Sequence, residues 1–234
     1  MTGLLSRLFS TAHKELPETV GRHRASAKAI DRRKAIEETE FVAFDTELTG
    51  PDFAKDTIIS IGAVRLHGGS INAGESFYRL VRPETELNRK SVVVHELTHT
   101  ELADAEDPKL VLTDFLEYIE GAVLIGHFVN VDVNFMNRAL KDHFGIGLAS
   151  PAVDTVALHD WLCDNHKGFR THFGGTTTRS DLYSMARQYG IEVKKSHNSF
   201  IDAYLTAQLF QRFVYFLKGA GVRRTDELLS VGKH

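Results

Sequence analysis

The stretch from Phe41 to Pro83 holds three strand-like runs in succession, and this most narrows what the chain can become. "EFVAFDTE" (40–47), "DTIISIGAVRL" (56–66) and "ESFYRLVRP" (75–83) are rich in β-branched and aromatic residues, and Gly68-Gly69 supplies a turn between the second and third. The pattern then changes. "DPKLVLTDFLEYIEG" (107–121) has helical spacing and stops at Gly121, and "AVLIGH" (122–127) is a short buried strand. "VDVNFMNRALKDHFG" (131–145) is a helix closed by Gly145, and "DTVALHDWLCD" (154–164) starts as a strand and becomes a helix. "SDLYSMARQYG" (180–190) and "SFIDAYLTAQLFQRFVYFLKG" (199–219) are two further helices. A strand meander followed by strand–helix alternation predicts an α/β fold, a mixed sheet with helices on both faces.

At 234 residues the chain makes one domain with an arm. The expected division is a basic helical extension over 1–38, a main domain over 39–218 and a short C-terminal tail over 219–234. Net charge is −3, so no global basic field marks a polyanion binder, and such affinity must come from local patches or bound metal. The extension is locally basic through Arg22, Arg24, Lys28, Arg32, Arg33 and Lys34, which reads first as a solvated helical arm and, more sharply, as a surface for phosphates, a protein partner or self-association. Its start, "MTGLLSRLFSTAHKEL", has no acid before Glu15 and weakly resembles an organellar transit peptide, but Leu4, Leu5, Leu8 and Phe9 fit an amphipathic docked helix better. With no run of 18 apolar residues, no membrane span is expected and the chain is read as cytoplasmic. Cys163 stands alone, which excludes an internal disulfide and a Cys-rich zinc site.

The acids carry the chemistry. On a strand, Asp45 and Glu47 point to one face because side chains alternate with a period of two. Two carboxylates about 5 Å apart repel by about 3 kcal/mol at an effective dielectric near 20. Asp132 follows another strand near a helix start, and Asp202 lies in the first turn of the last long helix. Four acids from three segments, all at element ends, suit an oxygen-ligand site for hard divalent cations. Two such ions can clamp the attacking and leaving oxygens of a phosphoryl transfer. His197 belongs in the loop before the last helix, with Asn198 or Ser199 as cap, where it could take a proton from water.

"HELTH" (95–99) also matches H-E-x-x-H, which read alone indicates a zinc protease acting through His95 and His99. No third ligand follows at a recognisable spacing, and the β-branched "SVVV" before it is a poor lead into a long helix.

Together "FDTE", "GHFVNVDVNFM" and "HNSFIDA" resemble the three motifs of the DEDDh family, the DnaQ-like 3′–5′ exonucleases. The H-x4-D spacing from His197 to Asp202 looks like the histidine branch, and "HELT" is similar to the family's H-G-I-T stretch, which accounts for the protease-like match. The resemblance covers about residues 40–217 and implies a ribonuclease H-like fold. It implies Asp45, Glu47, Asp132 and Asp202 as ligands of two divalent cations, Mg²⁺ or Mn²⁺, with His197 as general base. Thr46, Leu48, His95, Thr98 and Phe128 would touch the substrate, a single-stranded nucleic acid with a free 3′ end, DNA ahead of RNA. The sequence departs from the family at Leu48, where a Thr is usual, at Phe128, where Asn is common, and at Glu96, where a Gly is usual. The stretch after Lys218 shows no clamp-binding segment, which favours a repair or RNA-processing role over a dedicated proofreading subunit. The alternative readings are a catalytically silent nucleic-acid-binding module of the same fold and the zinc protease. A silent module predicts loss of at least one of the five site residues, and all five are present.

Overall fold

A computed structural model of the chain describes residues 17–83, 99–173, 180–193 and 197–233. The apolar stretch 4–9, His95, Thr98, most of the loop 171–180 and Lys194-Lys195 lie outside them.

Helix α1 (Glu18–Ala29) leads through a 3-10 turn (Ile36–Glu38) into β1 (Glu40–Leu48), β2 (Ile58–His67) and β3 (Ser70–Leu80). Then come α2 (His99–Ala103), α3 (Pro108–Tyr118), β4 (Val123–Gly126), α4 (Asn130–Phe144) and β5 (Ala152–Asp154). The rest is helical: α5 (Thr155–Asn165), α6 (Lys167–Phe173), α7 (Leu182–Gln188), α8 (Ser199–Gly219) and α9 (Thr225–Val231).

Among the described residues the sheet has five strands in the order β3-β2-β1-β4-β5. The first three strands are antiparallel neighbours, and β4 and β5 run parallel to β1. As the central strand, β1 is covered on both sides, which explains why 41–44 are all apolar. Its alternation sorts two cores. Phe41 and Ala43 face the layer of α5, α7 and α8, while Val42 and Phe44 face α3 and α4. Continued along the strand, the same alternation sends Asp45 and Glu47 towards α8 and Thr46 towards α4.

The mixed sheet with helices on both faces agrees with the sequence expectation. Three details differ from it. β3 starts five residues before 75, because an edge strand needs no apolar alternation and its residues 72–76 are exposed. α6 buries only Phe169 fully, too little for a periodic signal. Residues after Gly219, read as a tail, carry α9, and the Gly232 carbonyl accepts the Asp154 N–H at 2.9 Å.

Segments flanking the first and last described helices, 32–36 and 223–226, pair with each other. Ala35 bridges Arg224 in antiparallel fashion, Ile36 N–H donates to Arg223, Thr225 N–H to Lys34 and Asp226 N–H to Arg32. α1 buries Val20 and Ala27 and sets Arg22 against Glu117 and Glu120 of the α3 region.

Candidate active site

Three devices bring the acids together at the C-terminal ends of the parallel strands. The first is Gly62, which lies opposite Asp45 in the β1–β2 ladder. A Cβ there would collide with the Ser199 carbonyl and the Phe200 nitrogen, so the glycine gives the first turn of α8 its seat on the sheet. The Ser60 and Ser199 hydroxyls, 2.9 Å apart and buried, tie the same contact. Asn198 caps α8 by accepting the Phe200 and Ile201 N–H groups at 3.0 and 3.3 Å, as the sequence allowed. The cap leaves His197 outside the helix and Asp202 in its first turn.

The second device is the β4–α4 corner. Phe128 adopts a left-handed backbone conformation with φ 55°, a strained choice for an aromatic residue. The fully buried Asp154 holds this corner. One carboxylate oxygen accepts the Val129 N–H at 2.8 Å, and the other accepts the Val156 N–H at 2.7 Å and caps α5. His127 is a packing residue too. Burial lowers its pKa and keeps it neutral, so its Nε2–H donates to the Ser180 carbonyl at 2.6 Å and its Nδ1 faces the Thr155 hydroxyl at 2.8 Å. This assigned tautomer ties the corner to the entrance of α7.

The third device is Thr46. Its N–H and hydroxyl both donate to Asp132 Oδ1, at 2.9 and 2.6 Å. Asp132 therefore arrives from the α4 side and is held over the strand end. Asp45, Glu47 and Asp202 meet beside it, each offering a carboxylate oxygen within 4.8 Å of the others.

The electrostatics show how crowded this point is. Burial, and then Asp132, Asp202 and Glu47, push the Asp45 carboxyl well above the usual range. Burial raises Asp132 and Asp202 to about 7, against the hydrogen bonds from Thr46 and Tyr183. A donor set made only of carboxylate oxygens fits hard divalent cations, and bound cations would convert the repulsion into attraction.

The other sequence candidates lie as follows. His197 is exposed, and its ring meets Tyr183 edge-on with centroids 5.5 Å apart. Leu48 is partly buried and packs on the core below α4. Phe128 is 40 % exposed, one turn before Asp132, with its ring against His127. His95 and Thr98 fall outside the described residues, and α2 begins at His99.

The sequence reading missed Tyr183, whose hydroxyl donates to Asp202. It missed the seat at Gly62 and the part Thr46 plays in holding Asp132. The sequence offered one signal, the lone glycine inside the apolar run 58–66, which marks a close backbone approach.

The fold and the acid cluster define a phosphodiester hydrolase of the exonuclease class, and the comparisons with known proteins agree. The family model described as "Exonuclease" (RNase_T) matches residues 42–210, and the chain belongs to that family, the DnaQ-like 3′–5′ exonucleases. It is 30% identical over 213 residues to the DNA polymerase III subunit epsilon of Aquifex aeolicus, covering 90% of this chain and 99% of that one. It is 31% identical over 188 residues to a PolC-type DNA polymerase III of Thermotoga maritima, of whose length it spans 13%. Among solved structures, E. coli exonuclease I with a dT13 oligonucleotide superposes with a TM-score of 0.65 at 15% identity, over 78% of this chain and 42% of that one. Exonuclease X with a 5′-overhanging duplex gives 0.59 at 16% identity, over 82% and 99%. These likenesses show the ribonuclease H-like fold expected from the motifs.

Proposed function

We propose that this 3′–5′ exonuclease removes nucleoside monophosphates from single-stranded DNA with two divalent cations, Mg²⁺ or Mn²⁺. The observation that carries this reading is the meeting of Asp45, Glu47 and Asp202 within 4.8 Å, from two different elements. Asp45, Glu47 and Asp202 would hold the cations, with Asp132 as a fourth ligand steadied by Thr46. When bound, the cations supply charge neutralisation for the attacking and leaving oxygens. His197, exposed at the mouth, takes the proton from the attacking water. Phe128 presents its ring as a platform for the terminal base, and stacking of this kind contributes about 1–3 kcal/mol per base. Thr46, Leu48, His95 and Thr98 are read as further substrate contacts from their match to the family motifs, and the free 3′ hydroxyl is read near Glu47.

Residues 39–218 form the catalytic unit in this reading, and the basic extension 1–38 offers a surface to a protein partner. The protein works in the cytoplasm, without a membrane partner. The end-to-end match to an epsilon subunit favours a second reading, proofreading beside a polymerase. Removal of a mismatched primer end faster than a matched one, with and without a polymerase, separates the two.

The main test is degradation of 3′-labelled and 5′-labelled single-stranded DNA and RNA. Activity is expected with Mg²⁺ or Mn²⁺ and none with chelator. A 3′-phosphate slows it and a 5′ block does not. Full activity in chelator, or equal cleavage of a circular strand, overturns the reading.

A further inference from the structure

Tyr183 lies on α7, an element that carries none of the acids, yet it reaches two of the site residues. It is buried, with 8 % of its surface exposed. Its hydroxyl lies 2.7 Å from Asp202 Oδ1 and 3.0 Å from Oδ2. A hydroxyl has one proton, so the shorter contact takes the larger share and leaves Oδ2 the freer oxygen for coordination. The same ring meets His197 in a T-shaped contact, with an angle of 82° between the planes.

The mount of this ring is rigid. α7 is capped by Asp181, which accepts the Ser184 N–H at 2.9 Å, and the preceding Ser180 carbonyl is fixed by His127. Tyr183 also packs within the core under α8. Asp202 and His197 stand on either side of the α8 cap. The contact with the Tyr183 ring holds His197 in place relative to Asp202.

Resting on the reading of the site above, we propose that Tyr183 is a positioning residue for the hydrolysis: its hydroxyl sets the rotation of the Asp202 carboxylate, and its ring sets the place of His197. The two functions lie on different atoms and can be separated. Tyr183→Phe removes the hydroxyl and keeps the ring. Tyr183→Leu removes both. Tyr189, at the end of the same helix, has a buried hydroxyl with no hydrogen-bond partner among the described residues, so Tyr189→Phe is a control for loss of a buried hydroxyl.

The readouts are Mn²⁺ affinity by calorimetry, the imidazole NMR signals of His197, and steady-state kinetics. Partners that orient a metal ligand commonly change affinity about 10- to 100-fold when removed. Tyr183→Phe is expected to weaken Mn²⁺ binding about 10-fold, to leave the His197 signals in place, and to recover most of kcat at saturating Mn²⁺. Tyr183→Leu is expected to show the same weakening, to shift the His197 signals through loss of the ring current, and to lose kcat at saturating Mn²⁺ as well. Tyr189→Phe is expected to match wild type in all three. Wild-type Mn²⁺ affinity in Tyr183→Phe, or equal weakening in Tyr189→Phe, overturns the proposal for Tyr183 alone. A wild-type protein that binds no Mn²⁺ overturns the reading of the site and the proposal with it.

Discussion

Asp45 and Asp154 both stand at the C-terminal ends of strands in one sheet, and their surroundings are opposite. Asp154 is fully buried, and its two oxygens accept two backbone N–H groups, from Val129 and Val156. Asp45 accepts no hydrogen bond among the described residues and faces Glu47, Asp132 and Asp202. One carboxylate is satisfied by the backbone and holds a corner together. The other is surrounded by its own kind and keeps the fold under electrostatic load. Burial of an acid therefore says little about its role; the sign and number of its partners say more.

The largest effect should be on activity. Asp45→Asn is expected to reduce the exonuclease rate by about 10³-fold, because in the proposed reading a ligand charge is lost. Cleavage of labelled single-stranded DNA measures it. A variant retaining near wild-type rate would place Asp45 with Asp154 among the structural acids.

Stability should show the reverse order. Asp154→Ala leaves two buried N–H groups unpaired and frees the strained Phe128 corner, a loss of about 3 kcal/mol. That corresponds to a fall in melting temperature of roughly 6–12 °C for a chain of this size. In the absence of metal, Asp45→Asn should melt about 2–4 °C higher than wild type, since about 1 kcal/mol of repulsion is relieved. Added Mn²⁺ should raise the wild type by mass action and the variant much less. A metal-free Asp45→Asn protein that melts below wild type would erase the contrast.

The same difference should depend on pH. Asp132 and Asp202 have carboxyl pKa values raised to about 7, above about 3.9 for an unfolded Asp. Groups shifted this way contribute their full stability below the unfolded value, and it is lost as pH rises through the folded one. The melting gap between metal-free Asp45→Asn and wild type should therefore narrow as pH falls from 8 to 5. His127 and His23, whose pKa values are lowered by burial, give both proteins the opposite slope and cancel in the difference. A gap that stays constant with pH would show that the cluster does not exchange protons in this range.

The smallest effect concerns Phe128. Asn tolerates the left-handed backbone better, so Phe128→Asn should gain up to about 1 kcal/mol of stability while KM for single-stranded DNA rises several-fold. A fall in stability would mean that the ring packs for structure.

Much of this was legible because periodicity is local. The two-residue alternation put Asp45 and Glu47 on one face, Gly145 marked the end of α4, and the five-residue spacing kept His197 out of α8. What could not be read depends on which elements meet. Tyr183 reaches Asp202 across 19 residues and two helices, and its own segment reads only as a capped helix. Thr46 donates to an acid 86 residues away. The exposed residues 72–76 of β3 carry no apolar alternation, so they gave no signal.

The antiparallel ladder between residues 32–36 and 223–226 bears on how the chain would respond to force. Both strands of this ladder leave it on the same side, towards the two chain ends. A load applied through the ends would open it like a zipper, one hydrogen bond after another, whereas bonds loaded side by side would share the force. A single-molecule pull through the ends should detach the flanking helices α1 and α9 and unzip this step before it loads the sheet that carries Asp45.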